Sequence, residues 1–207
     1  MIPCLYEPFK HWAENGSIYI LSDLHFDDSD CKLMAPDWVS PQEQIDIINK
    51  MVMANDCFVC LGDVGNPEYI SQIRAKQKIL ILGNHDKKHV CALYFNEVYD
   101  GALFIADKIL LSHEPVNGLP WCLNIHGHDH SRVERFDSGC EHINLAANVC
   151  GYKPLNLGNL IKNGALADIK NIHRMVIDKQ REAKEICKEL NWLYERVNEL
   201  LENKNTF

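Results

Sequence analysis

Residues 78–86, Lys78-Ile79-Leu80-Ile81-Leu82-Gly83-Asn84-His85-Asp86, carry the pattern that decides the fold: a short apolar run that stops at a glycine and gives way to polar side chains capable of chemistry. A run of this length, bounded by Gly or Asp, reads as a strand buried on both faces. The same pattern recurs along the chain. Ser17-Ile18-Tyr19-Ile20-Leu21 leads into Ser22-Asp23-Leu24-His25, and Cys57-Phe58-Val59-Cys60-Leu61 leads into Gly62-Asp63. Lys108-Ile109-Leu110-Leu111 leads into Ser112-His113-Glu114-Pro115, and Cys122-Leu123-Asn124-Ile125 into His126-Gly127-His128-Asp129-His130.

Helical signals separate the first three runs. Ser40-Pro41-Gln42-Glu43 is a capping box with proline at the first helical position, followed by Ile45, Ile48 and Val52 at helical spacing. Asn66-Pro67 marks a second start, and residues 87–95 a third. Strand–helix alternation predicts a parallel sheet with right-handed crossovers. Beyond residue 97 the pattern turns to strands and turns: a hairpin over Gly101–Leu111, then candidate strands at Val133–Phe136 and His142–Val149. Pro154-Leu155-Asn156 opens a short helix ending near Gly164. Residues 1–164 thus read as one domain and 165–207 as a helical extension. From 166 to 203 there is neither Gly nor Pro, and Ile169, Ile172, Val176, Ala183, Ile186, Leu190, Leu193, Val197 and Leu200 step by three and four, with Lys179 interrupting. This is either an amphipathic helix packed on its own domain or a coiled-coil seam that joins copies into a homo-oligomer.

Composition bounds the function. At 207 residues, 46% hydrophobic and 24% charged, the chain is an ordinary globular protein. No apolar run approaches the roughly 18 residues of a membrane span, and the first residues lack the basic-then-apolar order of a signal peptide. Nine cysteines without framework spacing point to reduced thiols and a cytoplasmic setting. Cys57 and Cys60 match Cys-x-x-Cys, but three residues apart in a strand they face opposite sides, so they read as buried thiols. The net charge of −8 lies wholly in residues 1–164. This argues against a nucleic-acid partner without excluding one, and it suggests carboxylates that serve cations.

In an open α/β sheet, ligands sit beyond the carboxyl ends of the strands. Those ends bring Asp23, His25, Asp63, Asn84, His113, His128 and His130 to one rim. Residues two apart in extended chain share a face, which makes Asp23/His25 and His128/His130 same-side pairs. Mixed imidazole and carboxylate donors suit Mn, Fe or Zn rather than Ca or Mg alone. His11, His89, His142 and His173 show no partner pattern and read as surface residues.

Asp-x-His, Gly-Asp, Gly-Asn-His-Asp, a lone His and Gly-His-x-His, in that order, resemble the calcineurin-like metallophosphoesterase superfamily over residues 18 to about 161. The resemblance implies an α/β sandwich of two mixed sheets flanked by helices, and a centre of two divalent transition-metal ions. Asp23, His25, Asp63 and His130 would hold one ion; Asp63, Asn84, His113 and His128 would hold the other, with Asp63 bridging. Two ions about 3.5–4 Å apart can hold a bridging hydroxide and clamp the oxygens of an in-line displacement. The resemblance further implies that His85, with Asn84, contacts the phosphoryl group or acts as general acid, that Asp86 orients the His85 ring, and that His126 stands behind the ligands. Arg132 is a further candidate phosphate contact that no motif requires. The function implied is hydrolysis of a small phosphate mono- or diester. A non-catalytic metal-binding scaffold and a nuclease using the same site are the competing readings.

Overall fold

The structure, a computed structural model, describes residues 7–12, 16–131 and 140–204. The chain divides into two compact units, Met1–Ile169 and Lys170–Phe207. In the first, β1 (Ile18–Leu21), β2 (Cys57–Cys60), β3 (Gln77–Ile81) and β4 (Glu97–Tyr99) form a parallel run, in the order β4-β3-β2-β1. The sheet is closed at one edge by β9 (Leu155–Asn156), antiparallel to β1. A second mixed sheet holds β5 (Leu103–Ala106), β6 (Ile109–Leu111), β7 (Leu123–His126) and β8 (Glu141–Asn144). Its β5–β6 hairpin is antiparallel and its other pairs are parallel. These two mixed sheets with flanking helices are the α/β sandwich expected above.

Strand alternation builds the layers. Ile18, Ile20, Val59, Ile79 and Ile81 from the first sheet meet Ile109, Leu111, Leu123 and Ile125 from the second in one core. The alternate residues Leu21, Phe58, Cys60 and Leu80 face the other way, onto Ile45 and Ile48 of α3 (Pro41–Met51), onto its C-cap Val52, and onto Ile70 and Ile73. α3 follows the short α1 (Glu7–Trp12) and α2 (Cys31–Met34). Cys57 and Cys60 accordingly lie in different cores, with burial pushing the Cys57 thiol up to about 12. α3 begins as expected, with Ser40 and Glu43 closing the capping box.

Several elements differ from the sequence reading. The Asn66-Pro67 start yields only a 3₁₀ segment, Pro67–Gln72, and residues 87–95 only the single turn α4 (Lys88–Cys91). The strand expected over His142–Val149 stops at Asn144, because the chain must leave the sheet there to reach the site. Val133–Phe136 falls outside the described residues. Asn156 caps α5 (Leu157–Lys162) through its side chain.

In the second unit, α6 (Ile172–Lys204) is one continuous helix. Asn171 begins it by accepting a hydrogen bond from the Arg174 N–H. Ile169, counted above as the first residue of the helical stripe, instead belongs to the inter-sheet core. Among the described residues no helix is long and apolar enough to cross a membrane.

Candidate metal centre

The carboxyl ends of β1, β2, β3, β6 and β7 converge at one end of the sandwich. The two sheets are tied there by Ser22, whose N–H donates to Leu145 O and whose hydroxyl donates to Leu61 O. Beyond these ends the chain turns at once into the left-handed region: φ is 56° at Asp23, 44° at His25, 51° at Asp63 and 66° at His128. Such conformations cost of order 1 kcal/mol each and cluster where side chains must be aimed. Glycine makes room for two of the crossings. A Cβ on Gly83 would lie 2.2 Å from Asp63 Oδ1, and one on Gly127 2.1 Å from Asp23 Oδ2.

The turns sort the donors into two groups able to hold a metal ion, Asp23/His25/His130 and Asp63/His113/His128. Asp23 and His25 do lie together, but through left-handed turns rather than strand alternation. His128 and His130, a same-side pair by spacing but given to different ions by the family resemblance, fall in different groups; the positive φ at His128 breaks the extended geometry that the spacing argument assumed.

The chemistry of the donors fits divalent ions. His113 Nδ1 lies 2.8 Å from the Leu61 carbonyl oxygen, which fixes the proton on Nδ1 and leaves a bare lone pair on Nε2 of the neutral ring. That Nε2 stands 2.8 Å from Asn84 Oδ1, 3.4 Å from Asp63 Oδ2 and 3.1 Å from His128 Nδ1. Converging lone pairs repel unless a cation lies among them. In the other group, His25 Nδ1 donates to Asp28 Oδ2 at 3.0 Å and His130 Nδ1 to Asn148 Oδ1 at 3.0 Å, so both turn Nε2 inward. Asp23 Oδ1 and His25 Nε2 are buried with no hydrogen-bond partner among the described residues. Each such orphan costs about 1–3 kcal/mol, which a metal bond would offset. Asp63 Oδ2 joins the groups, 3.8 Å from His25 Nε2 and 3.4 Å from His113 Nε2.

The charges follow from these contacts. Burial pushes the Asp23 carboxyl up against the lowering influence of Ser22, His113 and His130. Burial acts on Asp63 too, but with protons rather than metal ions on the imidazoles, the His113 ring donating from Nε2, the His85 backbone N–H, and the charges of protonated His113 and His25 hold it at about 2. Burial draws the His113 imidazolium down, and the neighbouring Asp63 and Asp23 carboxylates outweigh it and raise its pKa. Protons and metal ions therefore compete for the same lone pairs.

Asn84 and His85 are exposed at the mouth. The His85 ring is 5.8 Å from the His25 ring, edge to face, and the His85 backbone N–H donates to Asp63 Oδ1. Asp86 does something other than expected. Its two oxygens accept from the N–H groups of Asp63, Val64 and Gly83, so it clamps the β2 and β3 loops together instead of bonding the His85 ring. His126 is wholly buried, with Nδ1 on Gly127 O and its ring edge-on to His142, which is half-buried rather than on the surface. His11 is likewise partnered, with Glu97. Arg132 lies outside the described residues.

Sequence reading places Phe26 to Val39, with Asp28 and Trp38, as a loop over the site, but it misses what these residues and Asn148 do behind the ligands. Asp28 and Asn148 orient His25 and His130, and Trp38 packs its ring 5.8 Å and 5.7 Å from the rings of those two histidines. An asparagine interrupting Leu145-Ala146-Ala147 and Val149 was the available signal. Asn148 also donates to His130 O. Asn148→Ala is therefore expected to weaken metal binding about 10–100-fold while leaving the fold intact, as measured by competition with a chromophoric chelator.

A solved structure of a protein of unknown function from Aquifex aeolicus is 26% identical, with a TM-score of 0.60 over 72% of this chain and 99% of that one. A search of curated proteins finds no match. Residues 16–148, which contain both donor groups, match the family model described as calcineurin-like phosphoesterase. With that match over more than half its length, at the strand ends where the donors converge, the chain belongs to the calcineurin-like phosphoesterase family.

Proposed function

We propose that the protein is a binuclear metal-dependent phosphoesterase acting on a small phosphate mono- or diester. The observation that carries this reading is the pair of His/Asp groups joined through Asp63, with lone pairs facing inward and the donor protons committed outward. Asp23, His25, Asp63 and His130 would hold one divalent ion of Mn, Fe or Zn; Asp63, Asn84, His113 and His128 would hold a second. Bound there, the ions supply Lewis acidity toward a phosphoryl oxygen and a water acidic enough to attack phosphorus.

The chain's own residues do the rest. Asp28, Asn148 and Leu61 O hold three imidazoles in the tautomer that presents Nε2. Asp86 fixes the loop that carries Asn84 and His85 by accepting from Gly83 N–H. His85 has an exposed ring at the mouth, where it can donate to a phosphoryl oxygen or protonate the departing alkoxide. A cavity of about 430 Å³ lined by His25, Asp28, Lys32 and Trp38 adjoins the site and offers room for the alcohol part of a small substrate. The described cysteines are free thiols, most of them buried, which supports a cytoplasmic setting as part of the same reading.

The test is metal analysis of the purified chain, reconstitution with Mn, Fe or Zn, and assay against a nitrophenyl phosphomonoester and the matching diester. Expected are ion uptake at both donor groups and hydrolysis that stops on chelation and returns with metal. Full metal loading with neither ester cleaved would leave a binding scaffold in place of an enzyme. Failure to bind transition ions would overturn the metal assignment itself.

A further inference from the structure

We propose that α6 pairs with the α6 of a second copy of this chain, antiparallel, about a two-fold axis between Asn191 and Trp192. The helix runs 33 residues and carries Ile172, Val176, Ile186, Leu190, Leu193 and Val197 exposed, each by at least half. From Ile186 to Val197 these positions step by four, three and four, the a/d seam of a coiled coil; between Val176 and Ile186 the same register passes through Lys179 and Ala183. A contiguous apolar stripe of this extent marks an interaction surface.

Charge selects both the partner and its direction. On the a/d register of Leu190 and Leu193, the flanking charged positions nearest the axis are Glu189 and Arg196. In the antiparallel pair, Leu190 of one copy meets Leu193 of the other, and Ile186 meets Val197. Glu189 of each copy then faces Arg196 of the other, twice by symmetry. Sliding one heptad one way sets Glu189 against Glu189, and although it adds Glu182 against Arg196 it brings Lys179 into the seam opposite Val197. Sliding the other way sets Arg196 against Arg196. A parallel pair sets Glu189 opposite Tyr194 and buries Lys179 against Lys179. Among the described residues Glu189 has no partner within its own chain, while Arg196 holds Glu199 and keeps further donors free. The interruption at Lys179 lies outside the stretch from Ile186 to Val197, so the antiparallel seam avoids it.

The test is sedimentation equilibrium of the full-length protein, up to about 100 µM, well above the micromolar affinities of ordinary association. Expected is a monomer–dimer equilibrium that Leu190→Glu abolishes. Glu189→Arg and Arg196→Glu should each weaken the dimer about tenfold, since two opposite-charge pairs become like-charge pairs, and the double variant should recover most of that loss. A monomer at every concentration, or a dimer indifferent to Leu190→Glu, would overturn the proposal. So would single charge reversals with no effect, or a double variant as weak as the sum of both. All four variants alter exposed helix positions, and circular dichroism verifies that each remains folded.

Discussion

Asp63→Asn is expected to lose metal and activity together. The side chain keeps its shape, so its backbone contacts persist, but it no longer offers a charge to both donor groups. Asp63 Oδ2 is the oxygen that lies near both His25 Nε2 and His113 Nε2. With its pKa held at about 2, Asp63 is ionised at every working pH and serves as a permanent anion between the two groups. Several kcal/mol of charge stabilisation depend on such a carboxylate, which corresponds to a fall in turnover of more than about 10³-fold. Metal content after dialysis and turnover after reconstitution measure the two losses side by side. Retention of both ions with full activity would remove Asp63 from the bridging role.

His85→Asn should behave in the opposite way, with metal content unchanged and turnover down about 10²–10⁴-fold. The ring is exposed and forms no hydrogen bond within the described protein, so its loss leaves no buried partner stranded and costs little stability. The backbone N–H that donates to Asp63 Oδ1 remains in the variant. A fall in kcat with KM little changed identifies a group that acts on the transition state, whereas a rise in KM alone identifies a phosphate contact. Unchanged turnover would exclude the ring from the chemistry.

These two predictions rest on features of different legibility. The strands were readable because buried parallel strands require short continuous apolar runs. The residues just past them were readable because strand ends in such sheets deliver side chains to a common rim. Asp63 could be named from that alone, whereas His85 was named through the resemblance of Gly-Asn-His-Asp to the family motif. The division of His128 and His130 between two ions was implied by the same resemblance and not by spacing. Period-two reasoning placed them on one side, and a single left-handed residue separated them. Asp86 shows the same limit, since adjacency to His85 suggested a partner that its clamp on three backbone N–H groups rules out.

Local sequence by itself determined the strands, the capped helix α3, the long apolar-striped tail and the set of donor residues, because each depends on neighbours a few positions away. Which donors share an ion was implied by the family resemblance and not by spacing. Only the tertiary structure decided which nitrogen of each imidazole faces inward, and that Asp28, Asn148 and the Leu61 carbonyl make that choice. The reason is physical: a tautomer is set by the acceptor behind the ring. For His113 and His130 that acceptor arrives from 52 and 18 residues away, at a distance along the chain that no periodicity encodes.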